Sequence, residues 1–500
     1  MAEEFTTDVL ICGAGSAGLS LAIDLARRGI NFRIIDKITD YFRGSRGKGI
    51  QPRTLEIFED LGVADRIISS GGEYPLQRTY SDDGSFKDSP AMVQGEPTAS
   101  EPYPVTIMLP QFMTEAVLRD RLTELGTTAR FGTELIGFAA DDDGVTATVK
   151  TDGGEETWRV KYLVGADGGR SFVRHALNVE FPGKSLGARA LVADVTIDNL
   201  SRDYWHRWKN DTPERISVIH LRGTETFQIQ AVIPLEGEVD LSAEGLTAML
   251  ATRTGQDDLI VKQVFWSSAY NMSARLADKY RVGRVFLAGD AVHAHPPTGA
   301  QGLNTSVQDA YNLSWKLAAA LGSTPVDLLD TYEAERRPIA AGMLGLATGL
   351  LDQAKKGDLR RGRDVQQLDL GYDGSALCFD SDPDGDGIRA GDRAPDAPCR
   401  GGGGRSTALF NLFKGPHWTL LGYETGGKTM LAARSGLRIH LIGADEEIVD
   451  DQEHIRTAYH LNPGDWVLVR PDGYVGARVA DNDVAALEAY MAKVGIKASA

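Results

Sequence analysis

The stretch Arg281–Leu317, RVGRVFLAGDAVHAHPPTGAQGLNTSVQDAYNLSWKL, decides the fold. Val285–Ala288 is an apolar run too short for a helix and bounded by Gly283 and Gly289, so it reads as a buried strand. Asp290 sits at the end of that strand. A stiff loop from His293 to Gly302 follows, with prolines and glycines in it. Leu303, Val307, Ala310, Leu313 and Leu317 then recur at three- and four-residue spacing, the signature of a helix with one buried face. Open α/β sheets build ligand sites from such parts: a carboxylate at a strand end, a stiff turn, a helix start. The free N–H groups at that helix start favour an anion or an electron-rich oxygen.

Two other segments repeat the theme. Val9–Cys12 is a short strand that runs into Gly-Ala-Gly-Ser-Ala-Gly at 13–18, then a helix over Leu19–Arg28, a second strand at Phe32–Ile35, and Asp36. Gly13 permits the tight turn, Gly15 lets a pyrophosphate approach the backbone, and Gly18 lets helix and strand pack closely. Asp36 suits the ribose hydroxyls of FAD or NAD and would repel the 2′-phosphate of NADP. Arg159–Val164 is a third strand, ending in Gly-Ala-Asp-Gly-Gly-Arg-Ser at 165–171. Asp36, Asp167 and Asp290, each at a strand end, point to one sheet assembled from distant segments. Between the first two lies a loop with Arg43, Arg46, Lys48 and Arg53, four cations that can neutralise phosphates, before a helix that Thr54 can cap.

Composition sets the outer bounds. A chain of 500 residues, 42% hydrophobic and 25% charged, is ordinary for a globular protein of two or three domains. A net charge of −17 argues against general nucleic-acid binding. No apolar run reaches a membrane span, and the acidic N-terminus lacks the features of a signal peptide. Cys12, Cys378 and Cys399 are too scattered for a disulfide framework or a zinc site, so the cytoplasm is the expected compartment. The run DSDPDGDG at 380–387 lacks the glutamate a calcium loop needs, and no metal site is expected.

Residues 181–270 change character. The runs at 190–195, 216–221 and 226–233 are strand-like, and Trp205, Trp208, Phe227 and Trp266 add aromatic surface. An antiparallel sheet lining an apolar pocket for a flat ring system is the expected arrangement. Residues 391–500 alternate strands and helices as a small α/β domain after an irregular, Gly/Asp-rich stretch.

Taken together these motifs resemble the FAD-dependent aromatic hydroxylases, single-component flavoprotein monooxygenases of the para-hydroxybenzoate and phenol hydroxylase type. GAGSAG with Asp36 is similar to their ADP-binding fingerprint, although the family more often has Glu there; GADGGRS is similar to the DG motif, and the stretch from Arg284 to Ala318 to the GD motif. The resemblance implies an α/β fold with a Rossmann-like FAD-binding domain (1–71, 105–180 and 271–356). It also implies an inserted antiparallel-sheet substrate domain (72–104 and 181–270), a linker (357–390) and a thioredoxin-like C-terminal domain (391–500) without C-x-x-C. It assigns FAD contacts to Gly13, Gly15, Ser16, Ala17, Gly18, Asp36, Lys37, Arg46, Gln111, Asp167, Gly168, Gly289, Asp290, Pro297, Gly302, Leu303 and Asn304. NADPH or NADH would reduce the FAD, O2 would add at the flavin C4a carbon, and the resulting hydroperoxide would oxidise an aromatic substrate.

One departure matters. Simple-phenol hydroxylases carry an acid or histidine where Lys48 stands, and a lysine replaces it as base only with a strongly lowered pKa. Pro297 and Arg46 are the expected catalytic contacts, with Lys48, His220 and Tyr270 as further candidates. A polycyclic, polyketide-like phenol with an already acidic hydroxyl needs the least help. Baeyer–Villiger or epoxidising chemistry on a polycyclic ketone or quinone, and a non-catalytic FAD- and ligand-holding protein, remain open alternatives. No Gly-Trp-x-Trp segment supports a halogenase. A monomer or homodimer is expected.

Overall fold

The computed structural model describes residues 6–92, 95–210, 212–296, 298–322, 326–355, 362–426, 431–480 and 483–497. Its central sheet sets four strands side by side and parallel: Phe32–Ile35, Thr7–Cys12, the second half of Gly154–Gly165, and Val285–Leu287. Their side chains are buried almost throughout, as parallel strands between helices require. The register places Ile11 beside Val164 and Ile34, and Gly165 beside Leu287. The strand ends at Cys12, Gly165 and Leu287 therefore lie level, and their following loops emerge at one edge. A hairpin, Glu134–Ala140 and Val145–Thr151, extends the sheet on its antiparallel side.

A second sheet has eight strands. Its middle is antiparallel: Val261–Leu276, Gly183–Ile197, Phe227–Ile233, Ile216–His220 and Tyr204–Trp208. Leu76–Tyr80 and Phe86–Ser89, from the earlier excursion, complete one edge. Alternation divides its faces. Leu191, Ala193, Val195, Trp208, Val218, Phe227 and Ile229 form a core under the helix Ala243–Thr254, with Leu246 and Leu250. Asp194, Gln228, Ile219 and Trp205 stand in register across the other face.

The helix Gln301–Leu321 joins these layers. From Asn304 to Leu317 every residue is buried, including Asp309, Asn312 and Lys316. Its polar side chains pair with the long helix Asp330–Lys355 and with the third sheet, whose strands include Trp418–Tyr423, Leu437–Ile442, Trp466–Val469 and Val475–Val479. The stretch expected as a linker also supplies an edge strand there: Phe379–Asp380 pairs with Ala477 and Arg478 through backbone groups, which every residue type carries. Glu335 accepts from Lys316 Nζ at 2.6 Å and from both terminal nitrogens of Arg470 at 2.7 and 2.9 Å. Asp472 accepts from Arg470, Asn312 and Trp315 at 2.7, 3.1 and 3.0 Å. Arg470 and Lys316 together hold the Glu335 carboxyl far below the usual carboxylate range against the opposing effect of burial.

Replacing Glu335 by Gln leaves Lys316 and Arg470 underpaired in a buried setting. The expected loss of stability is about 3–5 kcal/mol, read as a lower thermal midpoint of the whole chain.

Candidate active site

The glycine turn is built as the spacing requires. Gly13 has φ +110°, and a Cβ there would stand 2.2 Å from the carbonyl oxygen of Ala166; one on Gly18 would stand 1.9 Å from that of Gly13. A Cβ on Gly15 would meet only Glu115 Oε1, at 3.7 Å. Gly13 and Gly18 are packing glycines, and Gly15 leaves room for a ligand. Ser16 and Ala17 begin the helix Ser16–Arg27, whose first N–H groups have no side-chain cap. Asp36 is half-buried and accepts from the N–H of Ala14 at 2.8 Å and of Ile38 at 3.1 Å, so it braces the turn from beside it; Lys37 is exposed.

The other two loops share the same edge. Asp167 accepts from the N–H of Val173 through one oxygen at 3.1 Å, while its buried Oδ1 has no hydrogen-bond partner among the described residues. Gly168 has φ +80°. Arg174 spans the gap, donating to the carbonyls of Ala291 at 2.8 Å and Gly169 at 3.0 Å. Gly289, φ +65°, turns the chain so that Asp290 projects from a single 3-10 turn. The Asp290 side chain is solvent-accessible yet walled by protein. That desolvation pushes its carboxyl up, and His293 and Arg46 pull it back. Behind it the buried Asp309 carboxylate receives Gly289 N at 3.2 Å, His293 Nε2 at 2.8 Å and Arg336 Nε at 2.9 Å.

The chain then makes a left-handed turn through Gly299 (φ 80°) and Ala300 (φ 55°) into the helix Gln301–Leu321. Among the described residues no side chain caps this helix, and its first turn carries no acid, so the positive end of its dipole at Gly302 and Leu303 is not offset there. The Asn304 side chain is fully buried, accepting from Gln51 N at 2.9 Å and donating to Gly49 O at 2.9 Å and Ala300 O at 2.5 Å. It fixes the turn. Pro297 lies outside the described residues.

The four cations of the preceding loop part company. Arg43 pairs with Asp40 at the surface. Arg53 is buried against Glu56 and the Asp472 carbonyl, inside a helix that starts at Pro52, one turn earlier than a Thr54 cap implies; proline at the first helical position needs no N–H partner. Arg46 is exposed too, its guanidinium 5.7 Å from the rings of Phe42 and Trp266. Gln111 holds this loop, accepting from Gly47 N at 3.3 Å and donating to Glu115 at 2.8 Å. Lys48 turns the other way and is buried against the eight-stranded sheet, with Nζ 2.6 Å from Gln228 Oε1.

That inner sheet face was only partly anticipated. Tyr270 is on it, opposite Ala190, with its hydroxyl pushed up to about 12 by burial. His220 is not. It pairs with Phe227 and makes an edge-to-face contact with that ring on the core side, with Nε2 2.7 Å from Thr224 O. A histidine in a strand points to the face its parity dictates, and residue 220 has the parity of Val218. Asp194, Gln228 and Gln230 escaped notice, yet Phe-Gln-Ile-Gln at 227–230 alternates apolar and polar as a two-faced strand does.

Three loops at the ends of adjacent parallel strands, an open glycine and uncapped helix starts define a dinucleotide-cofactor crevice, and the orphaned Asp167 oxygen and exposed Asp290 suit the hydroxyl-rich chain of FAD. This is the crevice of a flavoprotein, with a polar-floored sheet facing it. Residues 6–347 match the FAD binding domain family and residues 388–495 the aromatic-ring hydroxylase C-terminal family. The chain belongs to the FAD-dependent aromatic-ring hydroxylases. It is 40% identical to a flavin-dependent monooxygenase of Mycobacteroides abscessus, over 97% of this chain and 99% of that one. It is 32% identical to the 6-methylpretetramide 4-monooxygenase of Streptomyces rimosus, over 94% and 90%. A ternary complex of aklavinone-11 hydroxylase with FAD and aklavinone superposes with a TM-score of 0.84 at 28% identity, over 98% and 99%.

Gly15→Ala and Gly18→Ala separate the two glycine roles. Gly15→Ala is expected to fold with an unchanged thermal midpoint and to lose FAD affinity at least about tenfold, measured by flavin fluorescence. Gly18→Ala is expected to lower the midpoint of the FAD-free protein itself.

Proposed function

We propose that this chain is an FAD- and NAD(P)H-dependent monooxygenase that places one atom of O2 in a phenolic or polycyclic aromatic ring. The observation that carries this reading is the inner face of the eight-stranded sheet, where Trp205, Trp266, Gln228, Gln230 and Tyr270 flank the crevice instead of forming a second apolar core. Indoles and a phenol give flat contact for a ring, and the amides give it direction. The named substrates of relatives, 6-methylpretetramide and aklavinone, support a multi-ring ligand.

FAD, when bound, supplies reduction by the nicotinamide and activation of O2. The balance is one aromatic C–H, O2, NAD(P)H and a proton, giving the hydroxylated ring, NAD(P)+ and water. The chain's residues do the holding. Gly15 and the helix start at Ser16 take the pyrophosphate. Arg46 offsets its charge, and Asp290 takes the ribityl hydroxyls between it and the ring. The uncapped start of Gln301–Leu321 favours negative charge placed before it. Trp266 over Gly44, with Phe42 edge-on to it at 5.6 Å, keeps water from one side. The reading places the enzyme in the cytoplasm as a monomer or homodimer, without nucleic acid or membrane; among the described residues no helix is long and apolar enough to cross one.

The test is oxidation of NADH and of NADPH in air by the FAD-loaded protein, alone and with phenols, naphthols and tetracyclic polyphenols. Slow oxidation alone, large acceleration by one ring compound, and a product heavier by one oxygen are expected. A lactone or epoxide product replaces hydroxylation with one of its oxygen-transfer alternatives. A ligand that binds tightly and returns unchanged, with no acceleration by any compound, overturns the enzyme reading in favour of a carrier.

A further inference from the structure

Lys48 is an unusual cation. Its backbone lies against the helix start: a Cβ on Gly47 would meet Leu303 Cδ1 at 3.3 Å, and one on Gly49 would meet Ala300 Cβ at 2.8 Å. From there its side chain crosses to the inner face of the eight-stranded sheet. It thus links the cofactor crevice to the substrate sheet. It is 9% exposed, and its hydrogen bond is to the neutral Gln228 amide oxygen, which also receives Gln230 Nε2 at 2.7 Å. An ammonium has three donors, and burial of a cation without a close anion is unfavourable. Beside it is a second donor without an acceptor. The Lys48 Nζ is 5.9 Å from the centre of the Trp205 ring, and the buried indole N–H of Trp205 has no hydrogen-bond partner among the described residues.

The surrounding charges do not cancel the cation. Asp194, from the neighbouring strand, hydrogen-bonds Gln228 Nε2 at 3.1 Å, and its own carboxyl is pushed up by burial. Arg207 lies over the same Trp205 ring at 5.2 Å, the Tyr74 ring is 6.2 Å from it, and Arg46 is on the same loop as Lys48. Burial wins over the pull of Asp194 and lowers the Lys48 ammonium to about 8.

Resting on the monooxygenase reading, we propose that Lys48, with the Trp205 indole N–H, is a specificity residue that takes the ionised oxygen of an acidic ring hydroxyl on a planar polycyclic substrate. The two donors supply what a phenolate or enolate oxygen accepts, and the oxygen supplies the anion that the buried ammonium lacks. A ring held as its phenolate is richer in electrons, which is the state an electrophilic oxygen donor needs. No side-chain base is then required, because a hydroxyl acidic enough to ionise beside Lys48 releases its proton to solvent on binding.

The probe is alizarin, a hydroxyanthraquinone dye whose visible spectrum distinguishes the neutral from the ionised hydroxyl, with its dimethyl ether as the control that cannot ionise. The FAD-loaded protein is titrated with each from about pH 5 to pH 10. In the wild type the bound dye is expected to ionise at least about one pH unit below the free dye. Affinity should peak between the dye's ionisation and that of Lys48. Lys48→Met and Lys48→Gln are expected to abolish that shift and weaken binding about tenfold near neutral pH, while leaving the dimethyl ether unaffected. Lys48→Arg should keep dye binding tight past the pH at which the wild type falls off. Flavin content and thermal midpoint show that the variants fold; removing a buried cation is expected to leave the midpoint unchanged or raised at pH 7, because the folded state then no longer carries a desolvated charge.

A bound dye that ionises no more readily than free dye, a Lys48→Met protein that matches the wild type, or no binding of the dye at any pH overturns the proposal. Binding of the ionised dye through Lys48 with no aromatic compound accelerating NAD(P)H oxidation sinks the monooxygenase reading and leaves the Lys48 assignment standing. Accelerated oxidation that is indifferent to Lys48 does the reverse.

Discussion

A helix buried along most of its length must find a partner for every polar side chain it carries, and this constraint shapes the rest of the molecule. Gln301–Leu321 begins at the crevice, where its uncapped N–H groups are of use, and ends against the third sheet. Between those points Asp309, Asn312, Ser314 and Lys316 are all buried. Asp309 is satisfied by the loop that presents Asp290. Ser314 is satisfied by Asp24, which Arg27 and Arg28 also hold. Lys316 and Asn312 are satisfied by Glu335 and Asp472. Each pairing fixes a different part of the chain to one rod. The position of the helix start is therefore set from several directions at once. An unpaired member of such a network costs more than its replacement by apolar packing would, so the network specifies a geometry more than it adds stability.

Much of this was legible in the sequence, for an identifiable reason. Asp167 and Asp290 lie next to glycines, and Asp36 follows the Gly13–Gly18 turn; Gly18 has no room for a Cβ because of the carbonyl of Gly13 a few residues before it, and Gly13 takes a positive φ that the turn itself requires. That the three strands share one sheet followed from the same motifs. What escaped was non-local. Asp194 and Gln228 look like interruptions in apolar strands until register shows that they share a face. His220 looked like a candidate because histidine is chemically versatile, yet strand parity sends it to the core. Arg53 looked like a phosphate ligand because it lies in a basic loop, and only the fold brings Glu56 and Asp472 to it. Asn304 was expected at the helix start beside the cofactor, and only the fold shows its side chain tied to Gln51, Gly49 and Ala300.

Lysine at position 48 illustrates how burial changes the meaning of a residue. By composition it belongs with three arginines in a solvated loop. In the fold it is separated from all of them and held on a neutral amide between two layers. Arginine would bring a fork of five donors and a charge that persists at any working pH. Lysine brings one compact charge that its surroundings can weaken.

The central sheet also has a temporal consequence. Thr7–Cys12 is flanked by Phe32–Ile35 and Gly154–Gly165, and the latter's outer edge is covered by Val285–Leu287. During synthesis the first two strands meet early, but the far side of the sheet stays uncovered until more than half of the polypeptide has left the ribosome. The intervening antiparallel sheet can close on itself first, since Gly183–Ile197, Phe227–Ile233 and Val261–Leu276 are near neighbours in the chain. A nascent chain of this design carries an open apolar edge for much of its translation, and long-range closure of this kind is slow and exposed to misassembly. That exposure follows from strand order and is independent of the finished fold's stability.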